Sequence, residues 1–167
     1  MIRTGVVGLG KMGVSHCSII NAHPDAELTA VCDTSKFVLE AFRKYSKASC
    51  HSNYRSMIQA EDLDCVFVAS PTKLHHQMVM HALENSLHVF CEKPFMLKPE
   101  QGEDVLRLLG SKSVVNQVGY NSKFIGTFRR AKELLEMGAI GKVYHFVAET
   151  YGPVVTKKKS ITWRSSK

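Results

Sequence analysis

Gly8-Leu9-Gly10-Lys11-Met12-Gly13 and Asp33, twenty residues beyond it, are the residues whose types and spacing first point to chemistry. In a Gly-x-Gly-x-x-Gly turn, Gly8 permits the tight bend and Gly10 has no Cβ, so main chain can approach a pyrophosphate. Gly13 lets the following helix pack against the preceding strand. Lys11 and Met12 open that helix, whose N-terminal N–H groups and partial positive charge favour phosphate. Asp33 closes the next apolar run, where an acid hydrogen-bonds the adenosine ribose hydroxyls and repels a 2′-phosphate. The expected cofactor is therefore NAD. Ser35 and Lys36 keep NADP open, because a lysine there could reach a phosphate. The glycines alone are weak evidence; an apolar run before them and an amphipathic pattern after them give the motif its weight.

Those residues need a scaffold, and the rest of the chain reads as one. Strand-like runs at Thr4–Val7, Leu28–Cys32, Asp64–Ala69, Leu87–Cys91 and Val114–Val118, with a weaker one near Ala48–His51, alternate with helical patterns. The helical patterns are Met12–Asn21, Lys36–Tyr45, Tyr54–Gln59, Lys73–Asn85 and Pro99–Leu109. Several strand runs are nearly continuous in apolar residues, as in parallel strands covered on both faces. The alternation predicts an α/β, doubly wound parallel sheet. Near residue 120 the pattern changes: Phe124–Met137 reads as a long helix, and Lys142–Glu149 alternates with a period of two, as a strand does. The expected domains are 1–120, binding the dinucleotide, and 121–167, a linking helix and the first strand of a second, truncated α/β domain.

Composition narrows the class. The 167 residues carry a formal charge of +7, but residues 1–150 account for only +2. The remaining +5 is Lys157, Lys158, Lys159, Arg164 and Lys167, a terminal stretch better read as a solvated loop than as a nucleic-acid face. No apolar run reaches the ~18–20 residues of a membrane span. The five cysteines are odd in number and form no Cys-x-x-Cys, so neither a disulfide framework nor a zinc ribbon is expected. Cys32, Cys65 and Cys91 fall in apolar runs and fit a reducing cytoplasm. His75, His76 and His81 include no i, i+4 pair, and no metal site is expected. Ser70-Pro71-Thr72-Lys73 matches Ser-x-x-Lys, but the partner motifs of the penicillin-binding enzymes are missing.

Five stretches together resemble the glucose-fructose oxidoreductase / inositol dehydrogenase family, in its N-terminal dinucleotide-binding, Rossmann-type half. They are Gly8 to His16, Ala69-Ser70-Pro71-Thr72 with His75, His88 to Pro94 with its Glu-Lys-Pro, Gly119 to Phe124, and Trp163-Arg164. The resemblance implies an NAD-dependent oxidoreductase moving hydride between nicotinamide and a hydroxyl or carbonyl of a sugar, polyol or related compound. Lys93 is then the catalytic-site residue, just past a central strand, stabilising charge on the substrate oxygen. Glu92 contacts the nicotinamide ribose, and Pro94 follows a cis peptide. Ser70, Pro71 and Thr72 line the cofactor, and Asn121 is a second polar contact there. His75 either joins them or only caps and packs the helix it opens. Members commonly have an arginine at the place of Ser122 or Lys123, which this chain lacks.

Family members are about twice as long, and their second half supplies a sheet, a subunit interface and an Asp and His of the acid–base site. A homo-oligomer is therefore expected of a full-length form. The chain is expected to be a fragment, and a second reading follows: a dinucleotide-binding module without turnover. Substrate identity is not legible.

Overall fold

The computed structural model describes residues 1–149. They divide into two compact units, Met1–Tyr120 and a second beginning at Asn121. In the first, β1 (Ile2–Val7), α1 (Lys11–Ala22), β2 (Ala26–Cys32), α2 (Lys36–Arg43), β3 (Ser49–His51) and α3 (Tyr54–Ala60) form one half. The other half is β4 (Cys65–Val68), a 3-10 turn at Thr72–Leu74, α4 (His75–Glu84), β5 (His88–Cys91), α5 (Pro99–Leu109) and β6 (Asn116–Val118).

The six strands form one sheet in the order β3-β2-β1-β4-β5-β6, and every pairing is parallel. Successive side chains of a strand point to opposite faces, so each strand feeds two cores. Val6 and Val31 pack with Cys17 and Ile20 of α1 and Leu39 of α2. On the other face Val7, Val66, Val68 and Val89 pack with Met57 of α3, Val79 and Leu83 of α4 and Val105 of α5. This is the doubly wound Rossmann arrangement, and order reverses between β1 and β4, where such sheets open a crevice. A bulge between Thr4 and Gly5 leaves Thr29 out of register. At Gly5 a Cβ would lie 2.9 Å from Leu63 Cδ1 and 3.0 Å from Met57 Cε, so those two side-chain ends would have to shift.

The second unit holds a 3-10 turn at Asn121–Phe124 and α6 (Gly126–Glu136). The expected helix therefore starts later: Phe124 and Ile125 precede it, and Phe128 and Leu135 on it are exposed. Lys142–Glu149, expected as a strand, has no strand assignment. Alternation becomes a strand only when a neighbour completes the ladder, and the strands among the described residues pair within the first unit's sheet. Trp163-Arg164 and the terminal lysines lie outside the described residues. No helix among those residues is long and apolar enough to cross a membrane.

Candidate functional site

The candidate residues of the first unit gather where strands end. Gly8 follows β1, Asp33 follows β2, Ser70 lies two past β4, Glu92 follows β5 and Gly119 follows β6. The sheet holds this row by extending its ladder one residue. Gly8 N–H donates to the Cys32 carbonyl at 2.7 Å, Ala69 to Val7, Glu92 to Val68 and Gly119 to Cys91, each at 2.8 Å, and Asp33 to His51 at 3.1 Å.

Each glycine of the loop has a different steric demand. Gly8 sits at φ +94°, and a Cβ there would lie 2.8 Å from the Ala69 carbonyl oxygen. Gly13 is tighter: a Cβ would stand 1.7 Å from the Gly8 carbonyl oxygen, so only glycine seats α1 against β1. Gly10 is the opposite, with nothing within 4 Å of its Cβ position. It precedes α1 with no side-chain cap, and the first turn carries no acid. Open space before uncapped helix N–H groups fits a dinucleotide pyrophosphate. Lys11 and Met12 are exposed on that turn.

Asp33 braces this loop. Its Oδ2 accepts from Leu9 N–H at 2.7 Å, and its Oδ1 accepts from Ser35 N–H at 2.8 Å. Ser35 in turn caps α2, accepting from Val38 N–H at 3.4 Å. Carboxylate oxygens carry about four acceptor sites between them, so Asp33 keeps capacity for ribose hydroxyls.

Around β5 the carboxylate of Glu92 is only 8% exposed as a residue. Its Oε2 accepts from Lys93 N–H at 3.1 Å, and its Oε1 lies 2.9 Å from His16 Nε2. The Lys93–Pro94 peptide is cis and both residues are exposed. Ser70 donates its hydroxyl to Met78 Sδ at 3.2 Å, Thr72 is buried and Pro71 exposed. His75 is 1% exposed. Its Nε2 lies 2.8 Å from the Ser70 carbonyl oxygen, and its Nδ1 lies 3.1 Å from those of Pro94 and Phe95. His75 thus ties the Ser70 turn to the turn bearing Lys93 with both ring nitrogens turned to main chain. Asn121 is exposed and opens the second unit.

His16 and Gly119 have no role in the resemblance, yet both border Glu92. A Cβ on Gly119 would lie 3.1 Å from Phe90 Cζ and 3.4 Å from Glu92 Oε1. The spacing of His16, three past Gly13 and so about one turn along α1, was the available signal. Burial pushes the Cys32 and Cys91 thiols up to about 12, with the adjacent Asp33 and Glu92 adding to the effect, so neither thiol is a nucleophile here. No group of three or more His, Cys, Asp or Glu among the described residues could hold a metal ion.

Residues 2–120 match the Gfo/Idh/MocA oxidoreductase family, described as an NAD-binding Rossmann fold. The chain belongs to this family. Its first unit is the family's NAD-binding domain. The chain is 34% identical over 146 residues to the uncharacterized oxidoreductase YrbE of Bacillus subtilis, covering 84% of this chain and 41% of that protein. The scyllo-inositol dehydrogenase of Lactobacillus casei, solved with NAD(H) and scyllo-inositol, superposes with a TM-score of 0.79 at 31% identity, over 84% of this chain and 42% of that one. The WlbA dehydrogenase of Bordetella pertussis, solved with NADH and UDP-GlcNAcA, gives 0.81 at 28% identity, over 86% and 44%. The chain thus spans about two fifths of the length of the curated relative YrbE.

Proposed function

We propose that this chain is the cofactor-binding part of an NAD-dependent oxidoreductase acting on a hydroxyl or carbonyl of a sugar, polyol or related compound. The carrying observation is the row of strand ends. The open helix N-terminus after Gly10, the Asp33 carboxylate and the Glu92-Lys93 turn share one edge of one sheet. Gly8, Gly10, Lys11, Met12 and Gly13 hold the pyrophosphate, with Asp33 on the adenosine ribose. Ser70, Pro71 and Thr72 line the nicotinamide end, with Glu92 on its ribose and Asn121 a further polar contact. The preference is for NAD, since the Asp33 charge opposes a 2′-phosphate. Bound NAD would supply the hydride acceptor or donor.

The chain's own part is positioning and charge. The Lys93 ammonium, exposed past β5, holds the negative charge that a substrate oxygen carries once its hydroxyl proton is gone, before hydride leaves, or gains when hydride arrives at a carbonyl carbon. The longer relatives suggest that the rest of the site lies beyond this segment, and that residues 121–167 open the second domain. A homo-oligomeric full-length form in the cytoplasm belongs to the same reading; the buried free thiols fit a reducing compartment.

Lys93→Met tests the catalytic role in a protein that carries the remaining half. The expected result is a turnover loss of about 10²–10³-fold with NAD affinity retained. Turnover unchanged by the substitution would remove Lys93 from the mechanism. The chain spans only part of the relatives' length, which favours a second reading for the segment alone: it binds NAD without turnover. Dehydrogenase assays on the 167-residue chain decide between the two, and robust activity would contradict the second.

A further inference from the structure

Glu92 is held from a direction that the cofactor motifs do not explain. His16 reaches from α1 across β4 and β5, on the face opposite the core of α3, α4 and α5. Its ring meets Phe90 at 5.0 Å and Phe67 at 5.5 Å between centroids, and those two rings stack on each other at 4.7 Å. Only 13% of the His16 side chain and 10% of the Glu92 side chain are exposed. An ionised carboxylate can only accept, so the ring Nε2–H donates across the 2.9 Å to Oε1. The other oxygen is taken by Lys93 N–H, and Gly119 closes over Oε1 without a side chain. The carboxylate is therefore fixed on one side by α1 and on the other by the turn that carries Lys93.

We infer that His16 is a positioning residue for the nicotinamide half of the site. It sets Glu92, and through it the Lys93 turn, against the helix whose N-terminus receives the pyrophosphate. This rests on the assignment of NAD to the strand-end row. One helix then serves both ends of the ligand: its N-terminus takes the phosphates, and one turn later His16 aligns the group facing the second ribose. A ligand that stops at the phosphates, such as ADP, uses only the first contact.

That difference supplies the test. Calorimetric titration of the chain with NAD and with ADP, for wild type, His16→Leu and His16→Gln, separates positioning from general support of α1. Leucine fills the space without an N–H, whereas a glutamine amide can restore the donor. Wild type is expected to bind NAD more tightly than ADP. His16→Leu should lose about tenfold in NAD affinity, as for a buried carboxylate stripped of its partner, with ADP affinity held within about twofold. His16→Gln should recover most of the loss. Equal losses for both ligands, or none, would overturn the inference. Wild type with no affinity for NAD would instead overturn the assignment beneath it. Should His16→Leu fail to fold, the wild-type His16 ring ¹⁵N signals decide. NAD should move them and ADP should not; signals unmoved by NAD would overturn the inference.

Discussion

Asp33 serves two ends at once, and its substitutions should separate them. One oxygen secures Leu9 N–H in the glycine loop while the other secures Ser35 N–H before α2. Asp33→Asn removes the charge and keeps one acceptor, so one of the two backbone donors loses its partner. The ratio of NAD to NADP affinity, measured by calorimetry, should fall about tenfold, with a stability cost of ~1 kcal/mol in urea unfolding. Asp33→Ala should relax the preference as well and cost more in unfolding, because both Leu9 N–H and Ser35 N–H lose their partner. A ratio unchanged in both variants would take the ribose away from Asp33. Gly13 offers a contrasting case. Gly13→Ala places a methyl group 1.7 Å from a backbone oxygen that cannot swing aside, so α1 must shift. A loss of ~1–3 kcal/mol in stability is expected, together with NAD binding. Wild-type melting and affinity would show that the close seat of α1 is unnecessary.

At the level of elements, the order of strands and helices was legible because long apolar runs and amphipathic stretches alternate with little ambiguity. Boundaries moved by a few residues: β1 and β2 each begin two residues before the apolar run, where Ile2 with Ala26 and Arg3 with Glu27 still complete the ladder. Contacts between elements were not legible, since His16 and Glu92 lie 76 positions apart and nothing local marks them as partners. The Lys142–Glu149 alternation specifies faces, while a strand also requires a neighbour to complete its ladder. The Arg3–Asp64 pair ties β1 to the residue before β4 at the end of the sheet away from the site. Arg3 Nη2 meets Asp64 Oδ1 at 2.7 Å, and Arg3 also contacts Asp62. The Arg3 hydrogen bonds hold the Asp64 carboxyl well below its ordinary 3.8. A depressed carboxyl stabilises the fold above the unfolded value and loses that contribution as pH falls toward the folded one. Asp64→Asn should therefore melt below wild type near neutral pH, and the gap should close as pH drops under 3.8. A gap independent of pH would show that the charge is not what stabilises.

Across the whole molecule, the two units differ in how they are held. The first has two apolar cores and a six-stranded ladder, whereas α6 has no buried residue. Hydrogen exchange should accordingly be slow in β1 and fast through residues 142–148. Equal protection in both would contradict that division. The central claim concerns the first unit: a dinucleotide lies across the strand ends with its phosphates before α1. Gly10 allows that claim to be tested without disturbing the fold, because its Cβ position is open. Gly10→Val should stay within about 1 kcal/mol of wild-type stability, the cost of a poorer residue before the helix. Its side chain would occupy the space that the pyrophosphate needs. Calorimetric titration of wild type and Gly10→Val with NAD, each shown folded by thermal melting, is the most direct measurement. Saturable binding by wild type and none by a folded Gly10→Val is the predicted result; a folded Gly10→Val that binds NAD as tightly as wild type would contradict it.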